Sequence, residues 1–289
     1  MKNSLAEIEQ YMSGLIISVS GLRGIIGQDL TPVVASQYVA AFATKLPSGP
    51  VILGRDGRST GRMLCDAIAS TLRASGRDVV DVDVAATPTI GVLVKDIGAA
   101  GAVQVSASHN PPAYNGIKLF GSDGRVIDAE SGADVRDAYE NGLANWVAFE
   151  DVGVLRSVDD PHEAHLRAVL STVDAQAIRS VGYRVLLDSN HGAGSLLGVR
   201  LLEELGCEVI AIGDQPDGQF EHVPEPTEAN LLRIAAQVRD QGCVIGFCQD
   251  PDADRLALID GEGRYVGEEC TLALCVQRAM GEAATCGPI

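Results

Sequence analysis

The sequence predicts an α/β fold: two consecutive α/β domains with mixed, mostly parallel sheets sandwiched by helices, plus the start of a third. Three observations carry that expectation. Short apolar runs alternate with helical stretches along most of the chain. Two of the runs end in loops dense in reactive side chains, at residues 106–112 and 250–255, which is where open α/β sheets bind ligands. The chain has 289 residues, of which 46% are apolar, about two domains at roughly 100–200 residues each.

The elements follow in order. Residues 1–12 read as a short helical extension with Ser4 and Glu7 as a capping box. Residues 15–19 read as a strand, and 31–45 as a helix with Pro32 at its first position. A strand at 51–54, a helix at 59–74 closed by Gly76, a strand at 79–84 and a helix at 87–97 opening with Pro88 lead to the strand 102–105. An irregular stretch at 150–161 separates the units. A helix at 162–173, a strand at 184–188, a helix ending at 205, a strand at 207–212, a helix at 229–239 and a strand at 244–248 make the second. A helix at 268–280 opens a third. The expected division is an extension at 1–12, domain I at 13–155, domain II at 156–260 and a fragment of domain III at 261–289.

Composition narrows the function. The formal net charge is −17, so a nucleic-acid partner is not expected, because a polyanion would be repelled. A phosphorylated small molecule is compatible, since local cations can override the global field. Lysines number four, at 2, 45, 95 and 118, and the last lies just past the 106–112 loop. Seven cysteines form no C-x-x-C pair and no zinc-ligand spacing, so reduced, mostly buried thiols are expected. No apolar run approaches the ~18 residues of a membrane span. The N-terminus lacks a secretory pattern. The expectation is a cytoplasmic protein with no membrane partner.

Two loops carry the chemistry. Ser106-Ala107-Ser108-His109-Asn110-Pro111-Pro112 offers a hydroxyl, an imidazole and an amide, stiffened by two prolines. A serine hydroxyl is a poor nucleophile until activated or already charged with a group. Alone, the stretch reads equally well as a hydrogen-bonded turn. Asp250-Pro251-Asp252-Ala253-Asp254-Arg255 places carboxylates at alternate positions, and these repel one another unless a cation neutralises them. A calcium EF-hand is excluded, since the sixth loop position is Arg255 rather than Gly and the twelfth is Gly261 rather than Glu. A nucleophilic hydroxyl together with three carboxylates points to phosphoryl chemistry on a divalent metal. Arg255 adds a fixed cation suited to phosphate.

Together the two loops resemble those of the α-D-phosphohexomutase family, enzymes that interconvert sugar 1-phosphates and 6-phosphates. Ser20-Gly21-Leu22-Arg23-Gly24 is similar to the family's S-G-x-R-G signature, and Asn115-Gly116-Ile117-Lys118 to its N-G-x-K. Gly54-Arg55-Asp56-Gly57-Arg58 and residues 188–194 match further family loops and are expected to be structural or accessory. Asp250-Pro251 stands where many members have Asp-Gly. The resemblance implies that Ser108 is the phosphoserine and a metal ligand, that Asp250, Asp252 and Asp254 hold Mg2+, and that Arg23 reaches the transferring phosphoryl group. It implies Lys118 as general acid/base or electrostatic stabiliser, His109 within the catalytic set, and Arg255 and Asn110 as phosphate or substrate contacts. A sugar 1,6-bisphosphate is the implied activator and phosphoryl donor.

The implied function is a phosphohexomutase acting on a hexose or hexosamine phosphate. Glucosamine phosphate is preferred on the S-G-x-R-G and Pro224-Glu225-Pro226 segments, with mannose or glucose phosphate as alternatives. Two other classes stand beside it: a Mg2+-dependent serine phosphohydrolase, and a catalytically incomplete metal-binding fragment. The family's sugar-recognition G-E-x-S-G-H loop and distal-phosphate R-x-S-G-T-E-P loop do not occur in these residues. The expectation is therefore a chain incomplete for full activity and inclined to self-associate through its last helix.

Overall fold

The computed structural model describes residues 14–282, Ser20 excepted. The expected helix at 1–12 lies outside the described residues. Among them are two mixed sheets, of seven and four strands, with helices packed on them. The first contains β1 (Ile16–Ser18), β2 (Gly21–Ile25), β3 (Val51–Arg55), β4 (Val79–Val84), β5 (Gly101–Val105), β6 (Tyr114–Phe120) and β7 (Leu155–Ser157), in the order β1-β2-β6-β5-β3-β4-β7. Its β3, β4, β5 and β7 run parallel; the joins β1–β2, β2–β6 and β6–β5 are antiparallel.

The helices on this sheet are set by their caps and apolar stripes. In α1 (Pro32–Ala43) the Thr31 hydroxyl accepts from the Val34 N–H at 3.3 Å, with Pro32 just inside the start. In α2 (Gly61–Ala74), Leu64, Cys65, Ile68 and Leu72 recur at helical spacing, and all four are buried. These two helices and α4 (Ala129–Glu140) cover one face, in a cluster with Leu53, Val79, Val103 and Leu119. On the opposite face α3 (Thr87–Ile97) sends Ile90, Leu93 and Val94 against Ile52, Val82, Ala102 and Phe120. The side-chain alternation of the strands thus feeds two cores, with β5 buried throughout between them.

The second sheet runs β11-β10-β8-β9, from β8 (Arg184–Asp188), β9 (Glu208–Ile212), β10 (Ile245–Gln249) and β11 (Leu256–Asp260). Strands β8, β9 and β10 are parallel, and β11 returns antiparallel. Its core joins Leu186, Cys248, Ala257 and Ile259 to Ile234 and Val238 of α8 (Leu232–Asp240). Helix α5 (Glu163–Leu170), the short α6 (Ala175–Arg179), α7 (Gly194–Glu204) and α9 (Glu268–Glu282) complete the described residues.

The architecture is the predicted class, with differences of detail. Strand β2, which carries the S-G-x-R-G match, and strands β6 and β11 were not anticipated as strands, and they supply antiparallel pairings. Helix α4 was also missed. Strand β7 straddles the expected boundary at 155/156 and pairs with β4 of the first sheet. Of the described cysteines, Cys65, Cys243 and Cys248 are buried, whereas Cys270 and Cys275 on α9 are exposed, so the buried-thiol expectation holds only for the sheet cores. Among the described residues no helix is long and apolar enough to cross a membrane.

Candidate active site

The loop after β5 and the loop after β10 meet. Both leave the C-terminal ends of parallel strands. The start of α3 also holds the second loop, where the Thr87 N–H donates to the Asp252 carbonyl at 2.8 Å. Ser108 is 3% exposed, and its hydroxyl donates to Asp250 Oδ2 at 2.9 Å across 142 residues of sequence. Its φ of +50° lies in the left-handed region, an uncommon conformation for a residue with a side chain, of the kind that clusters at functional sites. The Ser106 hydroxyl, by contrast, is committed: it donates to Asp56 Oδ2 at 2.7 Å and accepts from the Ser108 N–H at 2.9 Å.

The three aspartates of the second loop each offer a carboxylate oxygen within 4.8 Å of the others. Asp250 and Asp252 are fully buried, and Asp254 is exposed. Lys118 Nζ donates to Asp252 Oδ2 at 2.6 Å and to Asp254 Oδ2 at 2.7 Å. The Thr87 hydroxyl donates to the same Asp252 oxygen. The Asp250 carboxyl also accepts the Arg255 N–H at 3.1 Å. One atom of the cluster lacks a partner: Asp252 Oδ1 is buried with no hydrogen bond. An orphaned, buried carboxylate oxygen facing two neighbouring carboxylates suits a hard divalent cation. The acidic triad can therefore hold a metal ion.

The electrostatics agree. Burial, followed by the charges of Asp252 and Asp254, raises the Asp250 carboxyl well above the usual carboxylate range. Burial pushes Asp252 the same way, but the Lys118 ammonium and the Thr87 hydroxyl outweigh it and hold Asp252 low. Burial pulls Lys118 down, yet Asp252 and Asp254 more than restore it, so its net shift is upward. Lys118 is accordingly a cation and not a free amine at neutral pH. His109 differs: burial, with the Arg255 and Arg23 charges beside it, lowers its value. Its Nδ1 lies 3.3 Å from Ser108 Oγ, so a neutral imidazole faces the hydroxyl.

The structure brings together Ser108, His109, Lys118, Asp250, Asp252 and Asp254, with Arg23 and Arg255 close enough to act on His109. Arg23 lies on β2 opposite Gly116 of β6. Asn110 also shapes the loop: its side-chain amide donates to the Ala107 carbonyl at 2.9 Å, which engages one of its two amide hydrogens. Sequence reasoning missed Thr87, whose only signal was its place at the start of a helix. It also missed Asp56 and Arg58, set aside as accessory although an acid and a base two residues apart follow a buried strand.

A third cluster braces the second sheet. His222 Nε2 lies 2.8 Å from Asp188 Oδ2, and Asn190 Oδ1 accepts the Glu221 N–H at 2.9 Å. Burial pulls His222 down, but the Asp188 hydrogen bond and charge win, and its value is raised. A histidine raised in the folded state contributes stability that is complete below the free-imidazole value, about 6.5, and fades as pH climbs through the raised value. In urea titrations the wild-type advantage over His222→Gln should therefore be larger at about pH 6 than at about pH 9. An equal gap at both would contradict the pairing.

Sequence comparison places this geometry in a known group. The family described as "Phosphoglucomutase/phosphomannomutase, alpha/beta/alpha domain I" matches residues 15–145, and its "alpha/beta/alpha domain II" matches residues 163–263. A phosphoglucomutase/phosphomannomutase of Thermococcus kodakarensis is 37% identical over 275 residues, covering 93% of this chain and 60% of the relative. A "Probable phosphoglucosamine mutase" of the same organism is 35% identical over 261 residues, covering 90% and 57%. The crystal structure of a phosphoglucomutase/phosphomannomutase family protein from Burkholderia thailandensis superposes with a TM-score of 0.77 at 27% identity, covering 92% of this chain and 60% of that one. The fold and the paired loops define a two-sheet α/β protein whose buried serine hydroxyl stands against an acidic triad. The chain belongs to the phosphoglucomutase/phosphomannomutase family, the α-D-phosphohexomutases. It spans roughly three fifths of the length of these relatives, 57% and 60%.

Proposed function

We propose that this chain carries the phosphoryl-transfer centre of a phosphohexomutase. The observation that supports it best is the Ser108 hydroxyl bonded at 2.9 Å to a buried carboxylate of the acidic triad. In the proposed cycle Ser108 enters carrying a phosphate. A sugar hydroxyl attacks that phosphorus, the O–P bond to Ser108 Oγ breaks, and a new O–P bond forms on the sugar, giving a bisphosphate. The sugar turns around, Ser108 Oγ attacks its other phosphorus, and the isomeric monophosphate leaves. His109, held neutral, suits the acceptance of the hydroxyl proton; Lys118, held cationic, suits charge stabilisation and the return of a proton to the leaving oxygen. Arg23 and Arg255 supply fixed positive charge for phosphate oxygens.

Asp250, Asp252 and Asp254 would hold Mg2+, with Ser108 as a further ligand. The bound ion would neutralise the carboxylates and the roughly two negative charges of a phosphoserine. The donor that first charges Ser108 is a sugar 1,6-bisphosphate. Glucosamine phosphate is the favoured substrate, since a close relative carries the phosphoglucosamine mutase name; glucose and mannose phosphates follow from the other.

A chase experiment tests the reading. The phosphorylated 289-residue chain, mixed with glucosamine, glucose or mannose 6-phosphate, should lose its phosphate to sugar bisphosphate, fastest with glucosamine 6-phosphate. Release as inorganic phosphate at the same rate with or without sugar would favour a hydrolase instead.

A further inference from the structure

We propose that Arg58 is a positioning residue for the phosphoserine loop, covered by Phe220 from the other half of the chain, so that both halves jointly set where Ser108 stands. The inference deepens the phosphoryl-transfer reading above. It begins with donor arithmetic. A guanidinium has five N–H groups in a rigid plane. In Arg58, 2% exposed, Nε donates to Asp56 Oδ2 at 3.1 Å. One terminal nitrogen donates to the carbonyls of Ser108 and Asn110 at 2.7 and 2.6 Å, the other to those of Pro111 and Tyr114 at 2.9 and 3.1 Å. Every donor is engaged; three of the five bonds fall on the loop that carries Ser108, and a fourth falls on Tyr114, where that loop enters β6.

None of those bonds is local in sequence, so the loop's shape is imposed from β3's exit and not chosen by residues 106–112 alone. The carbonyl that Arg58 grips on Ser108 belongs to a residue at φ +50°, a conformation that persists only when its surroundings over-determine it. A second path closes the same circuit: Asp56 accepts the Arg58 N–H at 2.9 Å and the Ser106 hydroxyl at 2.7 Å, and Ser106 in turn receives the Ser108 N–H. Asp56, Arg58 and Ser106 thus fix Ser108 from both its N–H and its carbonyl.

The second half of the chain closes over this circuit. The Phe220 ring lies 5.1 Å from the Arg58 guanidinium carbon, within the range of a cation–π contact. Beside it the backbones touch: a Cβ on Gly57 would fall 2.3 Å from the His191 carbonyl, and one on Gly218 would fall 2.7 Å from that of Gly57. The loop bearing Phe220 is in turn tied down by Asn190 at Glu221 and by Asp188 at His222. Arg58 does not point at a substrate. It acts through Ser108, and lysine, with three rotatable donors, cannot reproduce its planar fork.

The test uses the 289-residue chain, with Arg58→Lys and Phe220→Ala compared with wild type. Glucose 1,6-bisphosphate serves as donor in the presence of Mg2+. Three quantities are read: the rate of phosphate transfer to Ser108, the affinity for the bisphosphate, and amide hydrogen exchange in the peptide spanning residues 106–114. Misplacement by about an ångström can cost on the order of a hundredfold in rate. Arg58→Lys should lose about that much in rate, with bisphosphate affinity within about twofold and faster exchange confined to that peptide. Phe220→Ala, which leaves every Arg58 hydrogen bond in place, should lose roughly tenfold with the same pattern. Transfer within about twofold of wild type in both folded variants, or a loss shared equally by affinity and global stability, would overturn the proposal. A wild-type chain that takes no phosphate would overturn the transfer reading instead. Amide exchange would then decide for Arg58 alone: faster exchange of 106–114 in the variants supports it, and unchanged exchange overturns it.

Discussion

Asp252→Asn is expected to weaken Mg2+ binding by on the order of a hundredfold, because hard cations are held chiefly by ligand charge and count. The substitution keeps the side chain's shape and removes a full charge from the centre of the triad. It also changes the only buried oxygen of the cluster recorded without a partner among the described residues, Asp252 Oδ1. Lys118 now neutralises Asp252 and Asp254 at 2.6 and 2.7 Å, and the variant leaves that ammonium with Asp254 alone. Breaking one side of a buried ion pair typically costs about 3–5 kcal/mol. The loss here should be smaller, since Asp254 stays in place and is partly solvated. Calorimetric titration of Mg2+ into both chains, with thermal unfolding run alongside, checks this. Equal affinities would remove the triad from the metal site.

The effect should be larger in the phosphorylated chain. A phosphate on Ser108 would stand against Asp250, already bonded to the Ser108 hydroxyl, and would bring further oxygen ligands and roughly two more negative charges. Wild type should then bind Mg2+ more tightly than the unphosphorylated form, whereas Asp252→Asn should gain less from phosphorylation.

The candidate site residues were more legible in the sequence than the frame that holds them. Strands β5 and β10 were legible because each is a short apolar run ending in an abrupt change of chemistry. Strands β2 and β6 were not, because glycines interrupt them where backbones approach closely: a Cβ on Gly21 would lie 1.9 Å from the Ile117 carbonyl. A glycine demanded by tertiary contact looks, in one dimension, like a turn. Helix α4 was hidden by its polar composition, since it buries only Gly132, Val135 and Ala138.

At the site, Ser108, Lys118 and the aspartates could be named from motifs, but the distances between them depend on how two sheets meet. Arg58 shows the limit most clearly. Apart from Asp56, the partners of its side chain lie 50 to 56 residues away, and nothing in Gly54-Arg55-Asp56-Gly57-Arg58 states which of its charged groups will be buried. The Lys118 role, left open by sequence between acid/base and electrostatic work, depends on two carboxylate partners that no local motif specifies, and the proposal of His109 as proton acceptor depends on its place 3.3 Å from Ser108 Oγ.

The most direct test of the central claim, that Ser108 and the acidic triad form one phosphoryl-transfer centre, is to find where phosphate lands. The chain would be incubated with Mg2+ and a sugar 1,6-bisphosphate, then analysed by intact-mass and peptide spectrometry. Ser106 and Ser108 are separated by one residue and both are buried, yet only Ser108 touches the triad, while the Ser106 hydroxyl is held between Asp56 and the Ser108 N–H. The predicted result is a single phosphate on Ser108, absent in Ser108→Ala and slowed sharply in Asp252→Asn. Phosphate on Ser106, or on Ser108 at an equal rate without a divalent cation, would contradict the account.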